Sequence, residues 1–341
     1  METLQTSRLR LRPFRHDDAA AYAAYRSDES TARYQSWQVP FPLAEAQRNV
    51  AEAAAMDGPT EGAWFSLAIT HQESDEAIGD VVARLESNGR AAEVGYSLAV
   101  AHRGKGYATE AVQRLLAYLF NDVGIGRTHA GVHPDNVASM RVLERCGFVY
   151  EGTARQSYWK GDVCSDDVSY GLLSDEWIEW SGRSTERPAA VTLVEISSDN
   201  VNTVYDVATH HSQRRFVAPM PWSFTNALIP RPGPDDHPTV PWLRGVQADG
   251  EMVGFVMTAE NTDLTPEPYL WRLLIDRRHQ HRGIGTFVLN ELTRRYRQAG
   301  LPSLLVNWVD GHGSPRAFYE RYGFVPTGNL DDGEVEARLM L

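Results

Sequence analysis

Two six-residue segments have the composition of an anion cradle: Arg103-Gly104-Lys105-Gly106-Tyr107-Ala108 and Gln280-His281-Arg282-Gly283-Ile284-Gly285. Each follows a strand-like run and precedes a helix-like one. A strand that enters a glycine-rich turn and then a helix presents several backbone N–H groups at the positive end of a helix dipole, which suits a diphosphate. Gly106 and Gly283 permit positive φ or close backbone approach, Ala108 and Gly285 keep the helix start uncrowded, and Arg103 and Arg282 offer charge-assisted contacts to phosphate oxygens. Glycines needed for turn geometry alone explain either loop taken singly. Neither loop contains G-x-G-x-x-G, so a dinucleotide site fits poorly.

Repetition strengthens the cradle. Gly147-Phe148 follows the first loop, and Gly323-Phe324 follows the second at the same spacing to within one residue. A repeat of that period is a whole domain rather than a solenoid unit. The length of 341 residues agrees, at about 150 residues per domain. Residues 181–188 are polar, contain glycine and proline and lack periodicity, so they read as a linker between a domain of residues 1–181 and another of 190–341.

The elements that position the loops recur in the same order. In the first half, strand patterns cover residues 9–14, 64–70, 77–85, 93–100 and 128–132, with closing strands near Phe148 and over 168–172. Asp17 and Asp18 can cap an Ala/Tyr-rich helix, and a helix over 109–120 places Ala111, Leu115, Leu116 and Leu119 on one face. A second helix spans 136–145. The second half reads as strands at 242–246, 252–258 and 269–275, a helix at 286–297, a strand at 303–308, a helix at 315–322 and a final strand at 334–341. Both halves are α+β. Residues 217–241 are proline-rich around Trp222, Phe224, Asp235 and His237, and read as a long irregular insertion, a lid or a packed connector.

Composition narrows the chemistry. A hydrophobic share of 42% with 23% charged residues is that of a globular protein. The formal charge of -12 disfavours nucleic acid and is compatible with a cationic acceptor. No apolar run reaches membrane-spanning length and the first residues lack a signal-like apolar centre, so a cytoplasmic location is expected. Cys146 and Cys164 have no metal-ligand spacing, and Cys146 is expected to be a buried structural thiol. His102, His279 and His281 adjoin the loops. His210 and His211 sit side by side on an expected helix, where they cannot face one ligand. No metal is expected.

Both loops resemble the R/Q-x-x-G-x-G/A signature of the GNAT acetyltransferase superfamily, and residues 136–148 and 314–324 resemble its second signature. The resemblance implies two tandem GNAT-like domains, each a mixed, mostly antiparallel central sheet flanked by helices. It implies acetyl-CoA as cosubstrate, with its pyrophosphate held by Arg103, Gly104, Lys105, Gly106 and Ala108 in one domain and by Gln280, Arg282, Gly283, Ile284 and Gly285 in the other. The strand before each loop is then expected to splay from its neighbour and expose backbone donors. In the implied reaction a neutral amine attacks the thioester, an oxyanion forms and the thiolate leaves, which requires a base, hydrogen-bond donors and an acid.

The two halves differ in side chains for that chemistry. Tyr319 stands where many family members carry the tyrosine that protonates the thiolate, and a buried helix tyrosine is the alternative. Glu334 resembles the acidic end of the polyamine acetyltransferase-like branch, able to bind an ammonium or relay a proton; a solvated strand-edge carboxylate is the alternative. In the first half the position of Tyr319 is taken by Leu143. There residues 9–14, 93–98 and 136–139 resemble the ribosomal-protein N-terminal acetyltransferase branch. Asn136 is then expected to anchor the coenzyme arm, Ser139 to reach the thiol and Glu93 to act as base, against helix capping and a surface carboxylate as the plainer roles. The acceptor is a small-molecule amine or a peptide N-terminus. A single catalytic domain beside a structural partner, or an acyl-CoA sensor without turnover, stays open. Residues 34–42 and 217–241 are expected to shape the acceptor pockets, with Trp37, Phe41, Trp222 and Phe224 as pocket wall or lid core.

Overall fold

The computed structural model describes residues 1–230, 239–263 and 265–341. The chain divides into two compact units, Met1–Gly182 and Arg183–Leu341.

The first unit runs β1 (Leu4–Gln5), β2 (Leu9–Arg12), α1 (Ala19–Arg26), α2 (Glu29–Ala32), α3 (Leu43–Ala54), β3 (Trp64–His71), β4 (Ala77–Leu85) and β5 (Ala91–Leu98). It continues through α4 (Tyr107–Ala117), β6 (Arg127–Val132), α5 (Val137–Arg145), β7 (Val149–Lys160), β8 (Val163–Leu173) and α6 (Ser174–Gly182). The strands form one sheet in the order β1-β2-β3-β4-β5-β6-β8-β7, antiparallel except for β5 beside β6. The period-2 alternation of β3 sorts its side chains: Phe65, Leu67 and Ile69 join the core under α4, where Ala111, Leu115 and Leu116 are fully buried, while Ala68 packs with Tyr22, Phe41 and Val50 on the opposite face.

Asp18 does not cap α1; its side chain makes no cap bond there. Its carboxylate instead holds Arg12 through two hydrogen bonds of 2.7 and 2.9 Å and accepts the Arg15 N–H, with both Arg12 and Asp18 buried. Removing one member strands the other charge, so Arg12→Met is expected to cost about 3–5 kcal/mol. Urea unfolding checks this, and adding Asp18→Asn should recover part of the loss; a single-variant loss below about 1 kcal/mol would contradict it.

The second unit runs β9 (Val191–Val194), α7 (Val201–Tyr205), α8 (Met220–Leu228), β10 (Pro241–Ala248), β11 (Glu251–Ala259), β12 (Tyr269–Ile275), α9 (Ile284–Gln298), β13 (Ser303–Trp308), α10 (Arg316–Tyr322), β14 (Val325–Asp331) and β15 (Glu334–Met340). The sheet order is β14-β15-β13-β12-β11-β10-β9, with β12 and β13 parallel and the other pairs antiparallel. Helix α9 buries Ile284, Val288, Leu289, Leu292 and Tyr296. The segment 217–241 was expected to be irregular, yet α8 lies within it. Pro221 is tolerated in the first turn of α8, and Phe224 packs on Phe255 at 5.8 Å. Trp222 remains exposed, and Asp235 and His237 lie outside the described residues. His210 and His211 were expected on a helix; His211–Gln213 is a single 3-10 turn with His210 just before it.

The two Gly-Phe positions serve packing. Gly147 has φ +99°, and a Cβ there would lie 2.6 Å from the Trp180 ring; Gly323 has φ +120°. Only glycine accepts both demands at Gly147. Cys146 is fully buried beside it. Among the described residues no helix is long and apolar enough to cross a membrane.

Candidate active sites

The two loops have the same backbone. Gly106 precedes α4 at φ 82°, ψ 1°, and Gly283 precedes α9 at φ 81°, ψ 0°. Two residues earlier Gly104 has φ +74°, and His281 at the matching place holds φ +64°. A left-handed histidine is uncommon and is kept only where the surrounding chain demands it. Left-handed residues two apart, with an ordinary residue between them, turn backbone N–H groups toward the helix start, an anion-binding geometry.

Beside each loop the sheet opens. Strands β5 and β6 pair only from Ala91 to Glu93, and β12 and β13 only at Tyr269 and Leu270. Beyond those residues each strand diverges from its parallel neighbour, leaving backbone polar groups without a ladder partner on that side. In the second unit a register shift between Met257 and Thr258 of β11 leaves Trp271 out of step on β12, whereas β4 and β5 pair without a shift.

A cleft adjoins each opening. That of the second unit, about 680 Å³, is lined by loop residues Gln280, His281, Gly283, Ile284 and Gly285 and by Tyr319, Glu334, Tyr269 and Arg272. That of the first, about 750 Å³, is lined by Glu93, Tyr96, Asn136, Ser139, Leu143, Trp37 and Trp64 among others.

Residues 8–149 match the acetyltransferase (GNAT) domain, and residues 201–324 match the acetyltransferase (GNAT) family. The chain is 37% identical over 179 residues to the uncharacterized N-acetyltransferase p20 of Bacillus licheniformis, a match covering 52% of this chain and 99% of that protein. It is 31% identical over 104 residues to a ribosomal-protein-serine acetyltransferase of Escherichia coli, covering 30% of this chain and 58% of that one. A solved GNAT acetyltransferase from Bacillus anthracis aligns with 51% of this chain and 99% of its own at 24% identity, with a TM-score of 0.47. The chain belongs to the GNAT acetyltransferase family. It carries two GNAT domains in tandem and is an N-acetyltransferase.

In these GNAT domains the loop side chains are engaged differently from the sequence expectation. The Arg103 guanidinium binds the Leu98 carbonyl (3.1 Å), Ser30 Oγ (3.0 Å) and Thr31 Oγ1, and Lys105 Nζ donates to the Ala101 carbonyl (2.9 Å). Arg282 donates to the Glu186 carbonyl (2.7 Å) and contacts His279 Nδ1 (2.9 Å). These arginines brace the loop rather than project from it. Gln280 donates to the Ile275 carbonyl (3.0 Å) and pairs with Gln213, the Ile284 side chain is in the core, and Gly285 admits the Phe318 ring, 3.2 Å from where its Cβ would stand. Ala108 sits in the first turn of α4.

Two further arginines reach the loops. Arg8 donates to the Lys105 carbonyl (2.9 Å) and ion-pairs with Glu110, and Arg187 lies 3.6 Å from the place of a Gly283 Cβ. Both precede their domain's first full strand, far from the loops in sequence.

Asn136 caps α5 by accepting the Ser139 N–H at 3.2 Å. Ser139 Oγ meets the Tyr96 hydroxyl at 2.8 Å, a contact absent from the sequence reading because β5 and α5 are distant in the chain. Burial pushes the Tyr96 phenol well above its ordinary range. Glu93 is ion-paired with Arg84. Asp167 of β8 lies against Gly131, whose Cβ would fall 2.8 Å from its carboxylate. Burial, then the charge of Glu93, raises the Asp167 pKa. Phe41 is core, packed edge-on against Tyr22 and Trp37.

In the second domain Tyr319 is buried, stacked on Trp308 at 5.9 Å and edge-on to Phe324 at 5.5 Å. Its hydroxyl has no hydrogen-bond partner among the described residues. Burial raises its pKa far above the ordinary tyrosine value. Glu334 opens β15 at the cleft wall; burial raises its pKa against the lowering effect of Arg272, and Asp331 and Asp332 raise it further.

Proposed function

We propose that both domains transfer an acetyl group from acetyl-CoA to an amine by direct attack, the second acting on a small primary amine and the first on a peptide N-terminus or a similar amine. The observation that carries this is the duplicated pairing of a left-handed glycine at a helix start with a strand that leaves its parallel neighbour. The loop N–H groups suit the pyrophosphate, and the unpaired strand edge suits the pantetheine arm and the developing oxyanion.

Each cleft also supplies a protonated phenol beside the helix that follows the opening. Tyr319 is the acid of the second domain. In the first, Leu143 is core, and Tyr96 reaches Ser139 one turn earlier on the same helix. Tyr96 therefore stands in for the missing tyrosine, with Ser139 as relay to the thiolate. Asp167, which lies against Gly131 of the cleft wall rather than lining the cleft itself, is the better proton acceptor, because Glu93 is already held by Arg84 while burial makes Asp167 more basic. Similarity to a ribosomal-protein-serine acetyltransferase supports a protein acceptor for one domain.

Glu334 supplies the base of the second domain, and its ionised form is the active one. A raised pKa places the rising limb of the second-domain rate above the ordinary glutamate range, with activity lost as pH falls through it. Glu334→Gln should flatten that limb while the later limb from the acceptor's own ammonium remains; an unchanged profile would remove Glu334 from this role. The proposal as a whole is tested by titrating acetyl-CoA into the full chain, expecting two sites, and by thiol release with polyamines, amino acids and peptides. One site, or silence across that panel, would overturn it.

A further inference from the structure

We propose that the amine accepted by the second domain also carries a carboxylate, and that Arg272 binds that carboxylate. The inference rests on the second cleft being an acetyl-acceptor site. Arg272 lines it together with Tyr319 and Glu334. Its guanidinium donates to the carbonyl of the preceding Trp271 at 2.7 Å and to Asn226 Oδ1 on α8 at 3.5 Å. Its Nε is shut off from solvent and has no hydrogen-bond partner among the described residues.

No carboxylate among the described residues lies within ion-pair distance of Arg272, although Arg295 and Arg338 of the same domain are paired with Glu260 and Glu267. An arginine largely withdrawn from water without an acid is costly, and a planar fork whose Nη2 is held only by the 3.5 Å contact to Asn226 keeps donor capacity for a carboxylate. The out-of-step Trp271 sets its direction: Arg272 pairs with Met257 and Tyr269 with Ala259, so both lie on the sheet face covered by α8, away from the α9 core. The loop that suits the pyrophosphate starts eight residues later, at Gln280.

Glu334 faces the same cleft without pairing to Arg272. Burial weakens the proton affinity of Arg272 and strengthens that of Glu334, as expected for two opposite charges held apart in a poorly solvated space. That arrangement complements a zwitterion, its ammonium toward Glu334 and its carboxylate toward Arg272. Trp271 and Phe318 line the remainder, which suits an apolar side chain.

The test compares matched acceptors in the full chain carrying Gly106→Asp, which silences the first domain. Phenylalanine against phenethylamine, and leucine against 3-methylbutylamine, are assayed by thiol release. A preference of at least about tenfold in kcat/KM for the carboxylate member is expected, falling to near unity in Arg272→Gln and kept in part by Arg272→Lys. Equal use of both members, or a ratio unmoved by Arg272→Gln, would overturn the proposal. So would weakened acetyl-CoA binding in Arg272→Gln with the ratio intact, which would assign the arginine to the coenzyme. If thiol release is silent, the acetyl-transfer reading fails, and calorimetric binding of the same pairs to CoA-loaded protein still decides the carboxylate preference either way.

Discussion

Gly283→Asp is expected to abolish acetyl-CoA binding in the second domain and leave the first intact, and Gly106→Asp to do the reverse. Both glycines sit at φ near +80°. Aspartate tolerates that region better than most residues, so the backbone cost is on the order of 1 kcal/mol. A Cβ at 106 would have Arg8 Nη2 as nearest neighbour at 3.4 Å and one at 283 would have Arg187 Nε at 3.6 Å, so neither introduces a severe clash. The new carboxylate does, however, enter a cradle formed by backbone N–H groups. Two like charges about 4 Å apart at an effective dielectric of about 20 repel by roughly 4 kcal/mol, close to three decades in affinity. Calorimetry of acetyl-CoA should show two sites in the parent and one in each variant, with the alanine variants much less affected. A stoichiometry of two in either aspartate variant would refute the cradle at that loop.

Tyr319→Phe should lower second-domain kcat by about 100-fold while leaving coenzyme affinity and stability nearly untouched. The ring stays in its stack with Trp308 and Phe324, and the lost hydroxyl breaks no hydrogen bond to a described residue. Because burial holds the phenol protonated far above neutrality, the defect should be uniform from pH 6 to 9, roughly the range in which amine acetylation is assayed. Tyr96→Phe in the first domain differs in kind: it also removes the bond to Ser139, so a loss of about 1 kcal/mol in stability should accompany its rate defect. Thiol release and urea unfolding on both variants separate the cases. A Tyr319→Phe protein with parental kcat would remove this residue from catalysis.

What was legible in the sequence was local. Positive φ at Gly106 and Gly283, the apolar stripe of α4 and the period-2 pattern of β3 depend on residues a few positions apart, so the cradle and the α+β order could be read directly. The edge strands β9 and β14 and the helices α3 and α6 were not anticipated, since β14 is largely exposed and carries little pattern. The helix α8 was obscured by its prolines, one of which is harmless in a first turn.

The site's side chains required the tertiary structure. Arg103 and Arg282 were natural phosphate ligands by type and spacing, but segments remote in the chain supply oxygens that hold them to the loop frame: Ser30 and Thr31 in one domain, Glu186 in the other. Asp18 was a capping residue by position until Arg12 was brought against it. Tyr96, Asp167 and Arg272 have no distinguishing neighbours in sequence; they matter because β5 meets α5, because β8 lies beside Gly131, and because an out-of-step Trp271 sets the direction of one arginine. By itself the sequence determined the family, the duplication and the backbone cradle, since conformational preference is set by short-range sterics. Which charges are paired and which phenol meets Ser139 of the first domain were decided only by strand register and packing between distant segments.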